Sequence, residues 1–346
     1  MKTALIISLN FHPGHVSHMV ASYKQCEELG YKTTYFVDPE FENYLPKNSH
    51  ILKNDINSCP MTDLAIFLFP SQKNLPLIWK MKRKGVKVIY IFHEPLSPMK
   101  DYRKAGFSYT YLAKLWVINR ISQLTVRWSD VILLPSQKAV TFYENNPLYV
   151  NKNYHYIPLM YDDERREDHS YMPRLYFSYI GTVAADHSFN EFLHFVEWAV
   201  TENRLPCVRF LIATKSSFEV PEVLQKNKRV VINQGKPFTD EEINAYYAST
   251  ICVWNAYSRT TQSGVLAKSF MFGTPALVMC FNLNEFTHDG KNVIALKDNT
   301  DMEEIASAIE LICQHQDAFS SACRLEFEKS FYYGVYNNQI SKILID

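Results

Sequence analysis

Residues 258–278, SRTTQSGVLAKSFMFGTPALV, place an arginine, short polar residues and a glycine directly before an apolar helical stretch. The first turn of a helix has N–H groups without intrahelical partners and carries about half a positive charge. We therefore predict a pocket for a diphosphate at this corner. The alternative is that the arginine pairs with a surface carboxylate and the lysine is simply exposed. The candidate ligands are Arg259, Lys268, Gln262 and the N–H groups of Ser263, Gly264 and Val265.

Three strand candidates in the same half of the chain end with a glycine or a lysine. LYFSYI precedes Gly181, VRFLIAT precedes Lys215, and RVVINQ precedes GKPF. Each lysine alone is more simply explained as a solvated surface charge. Their common placement at the carboxyl edge of a parallel sheet favours an anion site, because glycine lets the backbone approach a ligand there. The predicted contacts are Gly181, Thr182, Lys215, Lys236, Pro237 and Phe238.

Two corners in the first half carry histidines. In NFHPGHVSH, residues 10–18, Gly14 lets backbone N–H groups approach a ligand at the start of the following helix. In FHEP, residues 92–95, a strand that should be buried ends in His93 and Glu94, which must face a cleft or cap a neighbouring helix. Structural turns and caps are the alternative for both corners. His93 has the better pKa for proton transfer. The other candidates are His12, His15 and Glu94.

Composition limits the classes of function. The 346 residues suffice for two domains, and 47% of them are hydrophobic. Because 36 basic and 36 acidic residues cancel, the chain has no global field for nucleic acid, and any anion must be held locally. Seven cysteines, odd in number and without CxxC pairs, indicate reduced core thiols in a cytosolic protein rather than disulfides or a zinc site.

No targeting or membrane-spanning segment is expected. The first residues, MKTALIISLNFHPG, have a short apolar run that ends in a turn and lacks a small-residue cleavage site. We interpret this run as a first strand. No apolar stretch approaches the roughly 20 residues that cross a bilayer.

Short apolar runs alternate with longer amphipathic ones along the whole chain, which is typical of parallel sheets covered by helices. The α/β fold expected is two doubly wound, Rossmann-like domains facing a central cleft. A polar segment at 160–174 marks the linker, and two helical runs, 301–315 and 331–344, end the chain. The predicted domains are 1–165 and 166–330, with 331–346 as a final helix that returns to the first domain.

The order of these motifs resembles the GT-B glycosyltransferases of family 4, and the resemblance covers nearly the whole chain. It rests on NFHPGHVSHMVASYKQCEELGYKT and FHEP in the first half. In the second half it rests on LYFSYIGTV, NQGKPFTDEEINAYYASTICVWNAYS, SGVLAKSFMFGTPALV and NEFTHDGKNVIAL. No single motif is specific, but their order is.

The resemblance implies a nucleotide-sugar donor, UDP- or GDP-linked, held mainly by the second domain and a saccharide or lipid-linked acceptor held mainly by the first. It implies transfer with retention of configuration and no cofactor, in cell-surface polysaccharide or glycoconjugate synthesis. No metal is expected, because no DxD triplet of the other common transferase fold occurs in a suggestive place. Inversion would need a general base, for which His93 is the first candidate. His12 and His15 are the next candidates for this role. Gly14 is assigned to the donor; His12, His15 and Glu94 are assigned to the acceptor.

The chain departs from the family at two acidic positions. The family's two glutamates fall on Thr260 and Lys268, or Gln262 takes the first place if the register slips. The arginine and lysine that usually follow the glycine-ended strand are also missing near Gly181. A catalytically silent protein that binds a nucleotide sugar or scaffolds a partner is therefore the alternative function, and Lys215, Arg259 and Lys268 are the cations that would compensate in an active enzyme.

Residues 77–87 and 100–128 interleave basic and aromatic side chains in the predicted acceptor domain. This pattern suits the surface of an anionic bilayer, and a lipid-linked acceptor would explain it. A solvated helix face with core aromatics explains it equally. The expected location is cytoplasmic, with contact at the inner face of the cytoplasmic membrane as the further expectation; no nucleic-acid partner is expected.

Overall fold

The computed structural model describes residues 1–47, 50–53, 58–69, 71–93, 95–96, 99–104, 106–260 and 263–345. The chain divides into two compact units. Unit 1 comprises Met1–Asp162 and Phe331–Asp346, and unit 2 comprises Asp163–Ser330. Each unit holds one parallel sheet covered by helices, so the predicted pair of Rossmann-like folds is confirmed.

Unit 1 has a seven-stranded sheet in the order β3-β2-β1-β4-β5-β6-β7. Its strands are β1 Lys2–Ser8, β2 Tyr31–Val37, β3 Ile51–Lys53, β4 Leu64–Phe67, β5 Lys87–Ile91, β6 Val131–Leu134 and β7 Tyr154–Tyr156. Its helices are α1 Val16–Glu28, α2 Asn74–Lys82, α3 Met99–Lys104, α4 Tyr109–Trp128 and α5 Gln137–Glu144.

Unit 2 has a six-stranded sheet in the order β10-β9-β8-β11-β12-β13. Its strands are β8 Tyr176–Ile180, β9 Arg209–Thr214, β10 Val230–Gln234, β11 Thr250–Asn255, β12 Ala276–Met279 and β13 Val293–Leu296. Its helices are α6 Phe189–Thr201, α7 Glu222–Gln225, α8 Asp240–Ala248, α9 Gly264–Met271, α10 Met302–Gln314 and α11 Gln316–Ser330.

Burial explains why the strand sequences are almost continuously apolar. Strands of a parallel sheet are covered on both faces, so they lack the alternation of a half-exposed sheet. In β11 every residue is buried, including Trp254, and the same holds for the four residues of β12. The core of unit 2 contains Phe177, Phe192, Phe195 and Phe210 around this tryptophan.

The two helices that matter most for the site begin with side-chain caps. Thr239 and Glu242 form a reciprocal capping box at the start of α8, and Ser263 accepts from the N–H of Leu266 at the start of α9. α9 ends before Gly273, whose φ of +66° is the left-handed conformation common after helix ends. The predicted helix-like stretch with a Gly-Thr-Pro stop is therefore present.

The prediction of only two helical runs after residue 300 was wrong. A further helix, α11, occupies Gln316–Ser330, because Phe319, Cys323 and Phe327 recur every four residues and form one buried stripe. The predicted run 331–344 begins instead with a 3-10 turn, Tyr333–Tyr336, and α12 spans Asn337–Ile345.

The description of all seven cysteines as core thiols was also too broad. All seven are free thiols, and Cys26, Cys59, Cys252 and Cys323 are buried. The other three, Cys207, Cys280 and Cys313, are exposed. The latter group lies next to loops or on the outer side of a helix, where a small side chain contributes little to the core.

Candidate active site

The strand order of unit 2 creates one place where chain connections reverse direction across the sheet. β8 and β11 are neighbours there, and open parallel sheets bind ligands beyond the carboxyl ends of such strands. We call this place the second switch point. Gly181 follows β8 with a φ of +147°, and a Cβ atom on it would lie 3.7 Å from Cγ2 of Val265 at the start of α9. Strand end and helix start therefore face each other across the width of one side chain.

The first turn of α9 is anchored by the strand that precedes it. Nδ2 of Asn255 donates to Oγ of Ser263 at 2.7 Å, and the same Oγ caps the N–H of Leu266. Ser263 is buried, so this cap is a fixed part of the corner. The N–H groups of Gly264 and Val265 lie at the positive end of the helix dipole, which suits an anion.

The loops after β8 and β11 are tied together around this corner. The ring of His187 stacks on Tyr257 with centroids 4.3 Å apart, and Nε1 of Trp254 donates to the carbonyl of His187 at 3.2 Å. The N–H of Ser258 donates to the carbonyl of Asp186 at 2.9 Å. The carbonyl of Thr182 accepts from the hydroxyl of Tyr179. These contacts give the corner a fixed shape.

Arg259 lies in this corner and is 9% exposed. Its Nη1 is 3.9 Å from Oδ2 of Asp186, whose side chain is also largely buried. This neighbouring carboxylate is not at the surface. A guanidinium carries five N–H donors in a planar fork that matches an anion such as a diphosphate.

The predicted contacts after β9 and β10 lie in different environments. Lys215 is half-buried, whereas the side chain of Lys236 is 70% exposed, with Nζ 3.8 Å from Oε1 of Glu242. Pro237 is exposed. Phe238 is buried and packs edge-on against Tyr246, with ring centroids 5.6 Å apart. The exposure of Lys236 agrees with the alternative of a solvated surface charge. Phe238 is part of the packed interior of unit 2.

Lys268 is buried in a charged cluster whose two carboxyl groups, on Glu164 and Asp240, are half-buried. Its Nζ is 2.5 Å from Oε2 of Glu164, and the side chain is 7% exposed. The carboxyl of Asp240 interacts with both charges, and burial raises its pKa to about 6 despite the nearby lysine. Nδ2 of Asn244 donates to the same Glu164 oxygen at 3.1 Å. We call these four residues the Lys268 cluster.

The strand order of unit 1 creates a first switch point, between β1 and β4. The ring of His15 stacks on Phe69, which follows β4, with centroids 3.1 Å apart, and the ring of His12 stacks on His15 at 4.2 Å. A Cβ atom on Gly14 would lie 3.4 Å from the His12 ring. The residues of the predicted Pro-Gly corner therefore form a compact ring stack at the carboxyl edge of the sheet.

His93 joins this ring stack from the end of β5. Its ring centroid is 5.5 Å from Phe69, 6.5 Å from His15 and 6.1 Å from His18. His18, which the sequence reasoning missed, is 4% exposed and lies one helical turn after His15. The spacing of three residues on a helix was the available signal, because such residues share a face.

The hydrogen bonds of His18 fix its tautomer. Nδ1 is 3.1 Å from the carbonyl oxygen of Met160, which can only accept, so Nδ1 carries the proton. Nε2 is 3.3 Å from the hydroxyl of Tyr161 and accepts from it when the ring is neutral. These two hydrogen bonds hold the His18 ring in one orientation beside His93.

Two predicted ligands, Glu94 and Gln262, lie outside the described residues. Thr260, at the family's first glutamate position, is described and half-buried. Within the part of the chain that the structure describes, no group of three or more His, Cys, Asp or Glu side chains is placed to hold a metal ion. Across the same residues, no helix is both long and apolar enough to cross a membrane.

One surface of unit 1 is rich in exposed aromatic and basic side chains. Trp79 of α2 and Trp116 of α4 are 53% and 54% exposed. The guanidinium of Arg83 lies over the first ring at 4.5 Å, and that of Arg120 over the second at 5.0 Å. α4 contains no acidic residue, and residues 71–129 contain twelve basic and two acidic side chains. We call the exposed sides of α2 and α4 the basic aromatic face.

Known structures share this fold along the whole chain. HepE of Anabaena, solved with UDP and glucose, matches with a TM-score of 0.73 and 14% identity over 100% of both chains. An alpha-glucosyltransferase solved in complex with UDP matches at 0.66 and 10% identity over 99% of both. Sucrose-phosphate synthase of Thermosynechococcus elongatus matches at 0.64 and 11% identity over 99% of this chain and 98% of that chain.

At these identities the likeness concerns the fold, which is the GT-B architecture in all of these structures. No protein-family model matches the sequence. No curated protein matches it either.

Proposed function

We propose that the protein is a glycosyltransferase that moves a sugar from a UDP- or GDP-sugar to a saccharide or lipid-linked saccharide, and that it is a divergent relative of family 4. The observation that carries the proposal is the second switch point. Gly181 and the capped first turn of α9 face each other there, with a Cβ position on Gly181 3.7 Å from Val265, and buried Arg259 lies beside Asp186 of the loop after β8. The structures of like fold that contain UDP support this choice of ligand.

The chemistry required of the protein is stabilisation of the departing nucleoside diphosphate. Preorganised donors aimed at developing negative charge often supply the largest catalytic contribution. The N–H groups of Gly264 and Val265 and the guanidinium of Arg259 take this role in our proposal. Gly181 keeps the space open, and the half-buried Lys215 adds positive charge at the same edge of the sheet.

The acceptor is assigned to the ring stack of unit 1. Histidine rings offer both a flat face for a sugar ring and nitrogen atoms for its hydroxyl groups. His12 and His15 are the proposed contacts. His93 is the proposed proton acceptor if the configuration inverts; retention, the outcome expected by resemblance, needs no protein base. The proposal involves no cofactor and no metal.

The test starts with the thermal unfolding temperature of the purified protein in the presence of a panel of UDP- and GDP-sugars. A ligand that raises the unfolding temperature is then incubated with the protein, and release of free nucleoside diphosphate is measured with and without EDTA. We expect stabilisation by at least one nucleotide sugar and EDTA-insensitive release. Absence of binding across the whole panel would refute the proposal.

A catalytically silent protein is the second candidate, and one observation favours it. At the two positions where the family carries glutamates, this chain has Thr260 and Lys268, and the lysine is engaged by Glu164. Binding of a nucleotide sugar without release of nucleoside diphosphate, with saccharide and lipid-linked acceptors added, would select this alternative.

We further propose that the basic aromatic face contacts an anionic bilayer, at the inner face of the cytoplasmic membrane, where a lipid-linked acceptor would lie. Exposed tryptophans and arginines on two helices whose own sequences contain no acidic residue suit the interface of such a bilayer. Co-sedimentation with phosphatidylglycerol vesicles should fall in Trp79→Ala/Trp116→Ala and decline with salt. The control, Tyr171→Ala, removes an aromatic side chain that is 79% exposed in unit 2 and should sediment like the parent protein. Equal sedimentation of all three proteins would count against membrane contact.

A further inference from the structure

Unit 2 has a cavity of about 290 Å³ between the turn before β13, the end of α10 and the start of α11. Its polar side chains are those of Lys291 and His315, which are both exposed. Its apolar side chains are those of Leu311, Ala318, Phe319 and Ala322. The cavity thus combines an apolar wall with a cationic end.

The cavity lies at the amino edge of the sheet, opposite to the second switch point. Lys291 is two residues before the start of β13. α10 begins five residues after the carboxyl end of β13 and packs on β13 and β11, so its last turn, next to His315, returns to the amino edge. Open parallel sheets bind their substrates beyond the carboxyl ends of the strands. A ligand in this cavity would therefore not occupy the site proposed for the nucleotide sugar.

Hydrogen bonds fix the turn that carries Lys291 against α11. Sγ of Cys323 donates to the carbonyl of Asn292 at 3.4 Å, and Nε2 of His288 is 3.3 Å from Oε2 of Glu326. Asn292 is itself 1% exposed. The two walls of the cavity are therefore held together before any ligand binds, which reduces the cost of ordering them on binding.

The apolar wall is continuous from the interior to the surface. Phe319 is 4% exposed and belongs to the core of unit 2, whereas Leu311 is 41% exposed. A single exposed leucine is common on protein surfaces. Here the leucine lies beside a buried aromatic ring and two small alanines in one concave surface, and such surfaces are typical of small-molecule sites.

The charge at the cavity is positive. Among the described residues, the side chains of Lys291 and His315 have no hydrogen bond or ion pair. The carboxyl groups of Asp289, Asp317 and Glu326 are close in sequence, but none of them lines the cavity. The lining itself therefore has one ammonium group, one imidazole and no carboxylate.

We propose that this cavity binds a small organic anion that joins one carboxylate to a short apolar body, such as a short fatty acid anion. The apolar body packs on Leu311 and Phe319, and the carboxylate lies at Lys291 and His315. The volume is near the lower end of the roughly 300–1,000 Å³ that small-molecule sites occupy, so the ligand is small. A free sugar would place hydroxyl groups on the apolar wall and is disfavoured.

The test measures the affinity of the full-length protein for butyrate, hexanoate, octanoate and 1-hexanol by titration with ligand-observed NMR. Affinity should rise roughly two- to fourfold for each added methylene group, because each one buries apolar area. Hexanoate should bind roughly fivefold more tightly than 1-hexanol, and this preference should decline with salt, because the ammonium is exposed.

Two variants separate the apolar wall from the charge. Ala318→Trp fills the cavity and should abolish binding of all four probes, whereas Ser321→Trp, at an exposed position of the same helix outside the cavity, should bind like the parent protein. Lys291→Gln should remove the preference for hexanoate and leave 1-hexanol unchanged. Lys297→Gln, which changes an exposed lysine beyond the other end of β13, is its control.

Three results would overturn the proposal. They are absence of binding by every probe, unchanged binding in Ala318→Trp, and equal affinities of the parent protein for hexanoate and 1-hexanol. Light scattering tests the other occupant, a second copy of the chain. A parent dimer that Ala318→Trp converts to a monomer would assign the cavity to that contact and also overturn the proposal. Nucleotide binding at the carboxyl edge is measured separately and stands or falls independently of these results.

Discussion

The two switch points of this protein have the same strand order but opposite linings. At the first, between β1 and β4, the rings of His12, His15 and Phe69 stack on one another. At the second, between β8 and β11, Gly181 leaves a gap opposite α9, with Arg259 and backbone amides beside it. One topology thus presents side-chain rings in one unit and backbone groups in the other. The two proposed ligand sites therefore differ in their lining and not in their fold.

Filling the gap at the second switch point should have the largest effect. Gly181→Val introduces a side chain towards Val265 and strains a backbone with a φ of +147°. We expect release of nucleoside diphosphate to fall by more than about 1,000-fold, because the anion corner is lost as a whole. Gly85→Val is the control, since Gly85 has a φ of +76° with nothing within 4 Å. It bears similar backbone strain of about 1–3 kcal/mol and should keep its turnover. If Gly181→Val retained its turnover, the backbone lining of the second switch point would not be the diphosphate site.

Removing the cation of the second switch point should have the next largest effect. Arg259→Ala should lower turnover by about 100- to 1,000-fold, the range seen when one preorganised donor to developing charge is lost. The loss of turnover should far exceed any loss of stability, measured as the unfolding temperature. Arg166→Ala, which removes an exposed arginine paired with Glu241, is the matched control. Near-normal activity of Arg259→Ala would refute the pocket assignment.

A substitution at the first switch point should separate catalysis from donor binding. His93→Gln keeps hydrogen-bonding capacity but loses the imidazole, and we expect kcat to fall by about 100-fold if this ring transfers the proton. Affinity for the nucleotide sugar should be unchanged, since the donor is assigned to unit 2. His50→Gln changes an exposed histidine of the same unit and serves as control. An unchanged kcat would assign the ring stack to binding alone and favour retention.

The smallest expected effect is a change in unfolding temperature when a carboxyl group of the Lys268 cluster is neutralised. The raised pKa of Asp240 means that its ionisation opposes folding as the pH rises from about 4 to about 6. Asp240→Asn should therefore unfold at a temperature a few degrees higher than the parent protein at pH 8, with a smaller difference at pH 5. Ionisation of Asp298 has the opposite effect on stability and favours folding, because hydrogen bonds from Thr300 lower the pKa of this carboxyl. Asp298→Asn should be the less stable protein at pH 8. Equal shifts for both variants would contradict this assignment.

Local sequence signals predicted most secondary structure of the two sheets. The strand predicted at 208–214 is Arg209–Thr214, and the helix predicted at 17–29 is Val16–Glu28. α11 was missed because its polar positions outnumber the buried stripe. The edge strands β3 and β7 were missed because three residues are too few for a periodic pattern.

The candidate site was less predictable because its partners are far apart in sequence. Lys268 and Glu164 are 104 residues apart, and nothing near either residue identifies the other. Arg259 and Asp186, and likewise His15 and Phe69, also lie far apart in the sequence and meet only in the folded chain. Residue types and strand ends predicted which side chains gather at an edge of a sheet. Their charge state and partners depend on the folded chain.

The division of unit 1 into two segments has a consequence for biosynthesis. Asp163–Ser330 is one continuous stretch, whereas unit 1 also needs Phe331–Asp346. Tyr161 bonds through its backbone to Phe331 and Tyr333, and Gln25 donates to the carbonyl of Tyr333. On the ribosome, unit 2 therefore has all of its residues before unit 1 does. The first half of the chain must wait for the last segment before its packing is complete, so the unit that begins first finishes folding last.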